Sequence, residues 1–167
     1  HPFIRNAVAA MDFGPVLLNK RHNRENNGGT IRKTTESFQL ATAVLFQTPV
    51  QNFGITPNNL NEMPKHVIDF MKQVPTTWDE TTFIAGYPGK YVVLGRRKGD
   101  MWYVAAINAR GNEKVIELNL PMLVGDTVQF IGDDTARESH YRQVKLSKGK
   151  KMKLTLQPGG GVVLTGK

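Results

Sequence analysis

The hydrophobic pattern of the chain changes near residue 80, so any fold must combine two dissimilar parts. After that point come about seven short apolar runs, each too short for an ordinary helix and separated by Gly, Asn or Asp. The runs are Tyr91–Leu94, Met101–Ile107, Val115–Leu120, Val128–Ile131, Tyr141–Leu146, Met152–Leu156 and Val162–Leu164. Many short strands joined by such turns predict an all-β antiparallel sandwich domain over residues 81–167.

The strand-like runs differ in how clearly they separate two faces. Over residues 151–156, two lysines and a threonine alternate with a methionine and two leucines. That alternation predicts one buried side and one solvent-facing side. Val115–Leu120 carries apolar residues on both sides, so the sequence assigns no clean buried face to it.

Residues 1–80 alternate strand-like with helix-like segments. The apolar segments Phe3–Met11 and Val50–Gly54 predict two strands covered on both faces. Strand–helix repeats give parallel strands, and a closed (β/α)8 barrel takes about 250 residues, or about 30 for each unit. The sequence therefore predicts that residues 1–80 are the C-terminal end of a (β/α)8 catalytic barrel, incomplete in this chain.

The two helices of this first part have local start and stop signals. A threonine, Thr34 or Thr35, offers an N-cap hydroxyl to a helix whose apolar residues recur at helical spacing. Pro49 stops that helix. Lys65–Gln73 suits a second, amphipathic helix, and Pro75 ends it.

The chain is basic, with a net charge of +8 from 22 basic and 14 acidic residues. Much of the excess lies in one lysine cluster, formed by Lys145, Lys148, Lys150, Lys151 and Lys153. Lysines on exposed strand edges prevent sheets from aggregating, and no aromatic side chain for stacking bases is interleaved with them. We therefore expect no nucleic-acid partner, with binding of a polyanion as the alternative.

Several classes of site are excluded by composition. The chain has no cysteine, which excludes a disulfide scaffold, a thiolate metal site and a cysteine nucleophile. No apolar run approaches the roughly 20 residues of a membrane helix, so no membrane span is expected. The four histidines lie far apart without metal-ligand spacing, and no metal site is predicted in this chain.

One carboxylate lies where a barrel enzyme would use it. Asp12 follows the first predicted strand and Asn52 lies at the matching end of the second, the edge where barrels place active sites. Glycoside hydrolysis needs two carboxylates across a sugar, and the adjacent Asp79 and Glu80 diverge on any regular backbone. The sequence therefore predicts no catalytic residue here, and only a substrate-pocket rim at Asp12 and Asn52. The alternative is that Asp12 caps a loop or pairs with an arginine.

Three aromatic residues could serve as packing residues or as sugar platforms. They are Trp78, Tyr87 and Trp102. The sequence favours packing for all three.

Two groups of motifs are distinctive. The first comprises Pro2–Asn6, Met11–Pro15, Gln39–Val44 and Val50–Phe53, and the second comprises Val74–Thr81, Gly86–Leu94 and Trp102–Asn108. The first group resembles the end of the catalytic barrel of glycoside hydrolase family 97. The second resembles that family's junction into its C-terminal β domain.

This resemblance implies an α-glycosidase of α-glucosides or α-galactosides, exported to the periplasm. The family combines an N-terminal β-sandwich, a (β/α)8 barrel with a calcium ion in the active site, and a C-terminal β-sandwich. Its catalytic and calcium-binding carboxylates precede the segment that begins at Pro2. The resemblance therefore gives no catalytic or calcium role to this chain, and no cofactor is expected for it.

Two other functions remain open from the sequence. One is a non-catalytic module that binds carbohydrate through exposed aromatic residues or a polyanion through the lysine cluster. The other is assembly, because an incomplete barrel exposes apolar edges that must be covered, for example by self-association.

Overall fold

The computed structural model describes all 167 residues, with four helices before eight strands. The helices are α1 (Arg5–Val8), α2 (Glu36–Leu45), α3 (Asn59–Glu62) and α4 (Lys65–Gln73). The strands are β1 (Glu80–Tyr87), β2 (Tyr91–Lys98), β3 (Met101–Asn108), β4 (Lys114–Asn119), β5 (Thr127–Asp133), β6 (Ser139–Lys145), β7 (Lys151–Leu156) and β8 (Gly161–Gly166). None of the helices has the length and apolar character needed to cross a membrane.

Two antiparallel sheets form a small β-sandwich. Six strands pair in the order β1-β2-β3-β8-β5-β6, and β4 pairs with β7 in a separate two-stranded ribbon. The prediction of an antiparallel sandwich is confirmed. All seven predicted runs are strands, and the sequence missed β1, whose register shifts between Phe83 and Ala85.

The six-stranded sheet is buried on both faces because its residues alternate between two cores. Val93 packs against the β4–β7 ribbon, whereas its neighbours Val92 and Leu94 pack against the helices. The ribbon contributes Ile116 and Leu118 from β4. Strand β4 therefore has one buried face and one exposed face. The sequence did not separate the two faces of Val115–Leu120 because Val115, although apolar, points to solvent.

Helix α2 lies on the other face of the sheet, against β3 and β8. The Thr35 hydroxyl accepts a hydrogen bond from Phe38 N at 3.0 Å, which confirms the predicted N-cap. Gly161 lies directly beneath the helix, since a Cβ there would be 2.6 Å from Phe38 Cα. Helix α4 spans Lys65–Gln73 as predicted. The core of residues 1–80 is thus shared with the sheet rather than closed on itself.

The predicted strands of residues 1–80 are wrong for this chain. Phe3–Met11 contains the short helix α1, and Val50–Gly54 contributes only one parallel bridge, between Gln51 and Phe13. Parallel strands are stable when further strands pair with them. No third parallel strand lies beside these two segments, so they form no ladder of hydrogen bonds.

Candidate functional site

Asp12 and Asn52 lie on adjacent segments that run in the same direction. The parallel bridge between Phe13 and Gln51 aligns the two segments, and Gly14 lies close to the backbone oxygen of Asn52. Both candidate side chains are exposed. Asp12 forms no ion pair with Arg5, Arg21 or any other basic residue.

Hydrogen bonds to the region after α2 hold these two segments in place. Met11 N donates to Gln47 O at 2.9 Å, and the Asn6 side-chain amide donates to the same oxygen at 3.2 Å. The Gln51 side-chain amide donates to Ala43 O at 2.8 Å, which fixes the second segment to the helix. The positions of the candidate residues are therefore set by backbone acceptors at the C-terminal end of α2.

The surroundings of Asp12 do not make a hydrolytic centre. A glycosidase needs two carboxylates, and the residue at the matching position, Asn52, is an amide that can be neither acid nor base. No group of three or more His, Asp or Glu side chains converges anywhere in the chain. The resemblance places the calcium ligands in sequence before Pro2, outside this chain. The pocket-rim role of Asp12 and Asn52 stays a prediction.

A buried polar network fastens the start of α2 to the sheet. Asp133, at the end of β5, accepts hydrogen bonds from Thr35 Oγ1 at 2.8 Å and from Gly161 N at 2.9 Å. Beside it, Arg32 and Glu36 form a buried ion pair at 2.8 Å. Burial raises the pKa of Asp133 above its ordinary value of 3.8, although the two hydrogen bonds oppose the increase. The sequence pattern indicates only a turn here.

We expect Asp133→Asn to remove a pH-dependent part of the stability. Because the pKa of Asp133 is raised in the folded chain, its contribution is fully present below pH 3.8 and is lost as the pH rises through the folded pKa. The stability of the wild-type chain should therefore fall relative to that of Asp133→Asn as the pH rises above about 3.8. Urea denaturation at several pH values measures this difference.

Asp100→Asn is the control, because Asp100 is exposed and lies in a turn between two strands. The prediction is wrong if the wild-type chain gains stability relative to Asp133→Asn as the pH rises.

Arg96 is a buried cation without an anionic partner. Only 2% of the residue is exposed, and its one hydrogen bond runs from Nη2 to Leu45 O at 3.3 Å. Its Nε and Nη1 atoms have no partner, and burial lowers its pKa to about 10. The guanidinium lies 5.8 Å from the Trp78 ring and at the C-terminal end of α2, where the helix dipole is negative. No sequence motif marks this site.

Arg96→Met should stabilise the chain by about 2 kcal/mol, because a buried cation with two unpaired donors is replaced by an apolar side chain of similar length. Thermal and urea unfolding measure the change. The neighbouring Arg97, which is half-buried, pairs with Glu80 at 3.2 Å, and Arg97→Met should cost at most about 1 kcal/mol. If Arg96→Met proves the more destabilising of the two, the prediction is wrong and the buried guanidinium stabilises the fold.

The lysine cluster is divided between a structural residue and an exposed set. Lys150 Nζ donates to the Asp126 carboxylate at 2.5 Å and to Gly125 O at 2.9 Å, and these bonds hold it against the turn before β5. The exposed members are Lys145, Lys148, Lys151 and Lys153. They lie on and between β6 and β7, as the sequence indicates.

The packing prediction is confirmed for both tryptophans. Trp102 is buried beneath the ribbon, and Trp78 packs edge-on against Tyr103 with ring centroids 5.3 Å apart. It is wrong for Tyr87, which is exposed at the end of β1 with the Lys90 ammonium 4.7 Å from its ring centre.

A cleft of about 600 Å³ opens between α4 and the helix-facing side of the six-stranded sheet. Its lining combines apolar residues with tyrosine, glutamine, threonine and histidine side chains. These residues come from α4, β3, β5, β6 and β8, so no local sequence motif marks the cleft.

Comparison with known proteins gives one family and several relatives. The family described as glycosyl-hydrolase 97 C-terminal, oligomerisation, matches residues 77–165. A retaining alpha-galactosidase of Bacteroides thetaiotaomicron is 29% identical over 98% of this chain and 26% of its own length. A probable retaining alpha-galactosidase of Streptomyces bingchenggensis is 32% identical over 62% of this chain and 15% of its own length.

Solved structures agree with this match. A crystal structure of a beta-arabinopyranosidase superposes with a TM-score of 0.95 at 54% identity, over 99% of this chain and 26% of that one. A glycoside hydrolase family 97 enzyme from Pseudoalteromonas sp. strain K8 shares the fold, with a TM-score of 0.82 at 23% identity over 99% of this chain and 27% of that one. The chain thus spans about a quarter of these structures and of the Bacteroides relative, and less of the Streptomyces one.

Proposed function

The chain belongs to the glycosyl-hydrolase 97 C-terminal family, and from that premise we propose that it is the non-catalytic C-terminal part of a glycoside hydrolase. In that enzyme its role is to support the catalytic barrel and to hold copies of the enzyme together. The observation that carries the proposal is the family match over residues 77–165, which includes almost all of the eight strands.

Residues 1–80 would be the last β-α units of the catalytic barrel, and residues 81–167 the C-terminal sandwich. The parallel bridge between Phe13 and Gln51 supports this division, since barrel strands are parallel. Exposed apolar side chains in the first part support it too, because burial against a neighbouring part of the barrel would remove them from water. Six of the eleven large exposed apolar residues lie in the first part: Ile4, Val8, Leu17, Ile31, Val50 and Leu60. The preceding barrel units would cover them.

The substrate of the longer enzyme would be a terminal pyranoside of galactose-like configuration. Two relatives are named for alpha-galactosides and beta-arabinopyranosides. An L-arabinopyranoside has the ring hydroxyls of a galactoside and lacks its hydroxymethyl group, so the two names describe closely related sugars. We propose this class ahead of α-glucosides.

The catalytic carboxylates and a calcium ion would come from sequence outside residues 1–167, and the enzyme would act in the periplasm. Asp12 and Asn52 would lie at the rim of its substrate pocket. Their exposure on adjacent segments supports this position.

Light scattering and hydrogen exchange of the longer enzyme test the assembly role. We expect an oligomer that dissociates on dilution, with amide exchange in residues 77–165 slowed in the associated form. The proposal fails if the enzyme is monomeric at every concentration, or if the slowed amides all lie outside this region.

A further inference from the structure

The floor of the cleft is the part of the sheet that α2 leaves uncovered. A ten-residue helix is about 15 Å long, whereas an eight-residue strand extends about 26 Å. Helix α2 covers Ala105 and Ile107 near the end of β3 and leaves Tyr103 at its start open to the cleft. Gln129 and Thr165 from the neighbouring strands continue this floor.

The walls of the cleft are fixed rather than loose. His66 on α4 bonds through Nε2 to Ser139 Oγ at 2.8 Å, across the gap between helix and sheet. The His66 ring also stacks on Tyr141, with 6.4 Å between centroids and 28° between planes. Tyr141 itself is 46% exposed and forms one wall. The cleft is therefore largely formed before any ligand enters it.

Several hydrogen-bonding groups that face the cleft are unused. Gln129 accepts from Thr165 Oγ1 at 3.2 Å through its carbonyl oxygen, which leaves its amide N–H groups free. The hydroxyls of Tyr103 and Tyr141 and the side-chain amide of Gln73 also have no partner in the chain. Burial raises the pKa of Tyr103, so its hydroxyl is a neutral donor.

The lining of the cleft has no unpaired charge, which favours a neutral ligand. Lys65 and Asp69 pair with each other along α4 and offset one another. The remaining polar groups are amides, hydroxyls and an imidazole. The floor adds the apolar side chains of Ile131 and Val163. A ligand that fits must offer hydroxyls at its edge and an apolar C–H face, and the volume lies within the 300 to 1,000 Å³ typical of small-molecule sites.

We propose that this cleft is a sugar-binding site that takes a neutral pyranose or a disaccharide. The apolar C–H face of the sugar lies toward Tyr141, and its hydroxyls point toward Gln129 and Tyr103. This assignment is independent of the proposed function, because it uses only residues of the cleft.

Titration of the 15N-labelled chain with methyl α-galactopyranoside, methyl β-L-arabinopyranoside and methyl α-glucopyranoside tests the site by NMR. We expect saturable shifts, in the millimolar range, at the amides of Tyr103, Gln129 and Tyr141 for at least one sugar. Gln129→Leu, which keeps a side chain of similar size, should weaken that binding about tenfold. Tyr87→Ala, an exposed aromatic residue outside the cleft, should leave it unchanged.

Three results would overturn the proposal. The first is the absence of saturable shifts with any of the sugars, and the second is a folded Gln129→Leu variant that binds the sugar as tightly as the unsubstituted chain. The third is amide shifts that depend on protein concentration and not on sugar concentration. The last would mean that a second copy of the chain fills the cleft. In the longer enzyme, Gln129→Leu should leave the oligomeric state measured by light scattering unchanged, so the cleft and the proposed assembly role fail or succeed separately.

Discussion

Gly161→Ala should destabilise the chain by about 3 kcal/mol and loosen α2 from the sheet. A Cβ on Gly161 would lie 2.6 Å from Phe38 Cα and 2.8 Å from Ser37 O. Both are backbone atoms of the first helical turn, so neither can move aside without shifting the helix. Urea denaturation measures the loss, and hydrogen exchange should quicken over Glu36–Leu45.

Gly111→Ala is the matched control for this substitution. No heavy atom lies within 4 Å of a Cβ at Gly111, so its effect should stay within about 0.5 kcal/mol. Equal stability of the two variants would mean that α2 does not lie against β8 as described. Gly161→Ala would contradict the packing of α2 on β8 in the same way if its amide hydrogen exchange became faster over β4 and β7 and not over α2.

The second large effect concerns the ribbon. Leu118→Ala should cost about 3 kcal/mol, because Leu118 is 1% exposed in the core between the ribbon and the six-stranded sheet. Thermal and urea unfolding measure it. Val115→Ala on the same strand should cost less than about 1 kcal/mol, since Val115 is 44% exposed. Similar losses at both positions would show that β4 has no buried face.

Elements with local signals could be predicted from the sequence. The Thr35 cap and the turn-forming Pro49 bracket α2, and Pro75 follows α4, so both helices are defined within a few residues of their own ends. The strands of the sandwich are equally visible, because each alternates or forms a short apolar run between turns. The exception is β1, where the irregular register near Ile84 breaks the period of two.

Features that depend on distant contacts could not be predicted. The strand order places β8 between β3 and β5, and nothing in a single strand states its neighbours. Arg96 belongs to a basic segment at the end of β2, which the sequence alone would place at the surface. It is a buried cation only because α2 packs above it. The cleft combines Tyr103, Gln129 and Tyr141, which belong to three different strands.

The strands expected in residues 1–80 failed for a related reason. Their apolar pattern is correct for buried parallel strands, but a pattern becomes a strand only when neighbouring strands supply hydrogen bonds. In this chain the Phe13–Gln51 bridge is the one parallel pairing that forms.

Hydrolysis of 4-nitrophenyl glycosides by the purified chain, beside an equal concentration of the longer enzyme, tests most directly whether the chain is non-catalytic. We predict that the longer enzyme releases nitrophenol from the α-galactoside or the β-L-arabinopyranoside and that the chain matches the enzyme-free blank. Turnover by the chain alone that Asp12→Asn abolishes would contradict the account, because a catalytic centre would then lie within residues 1–167.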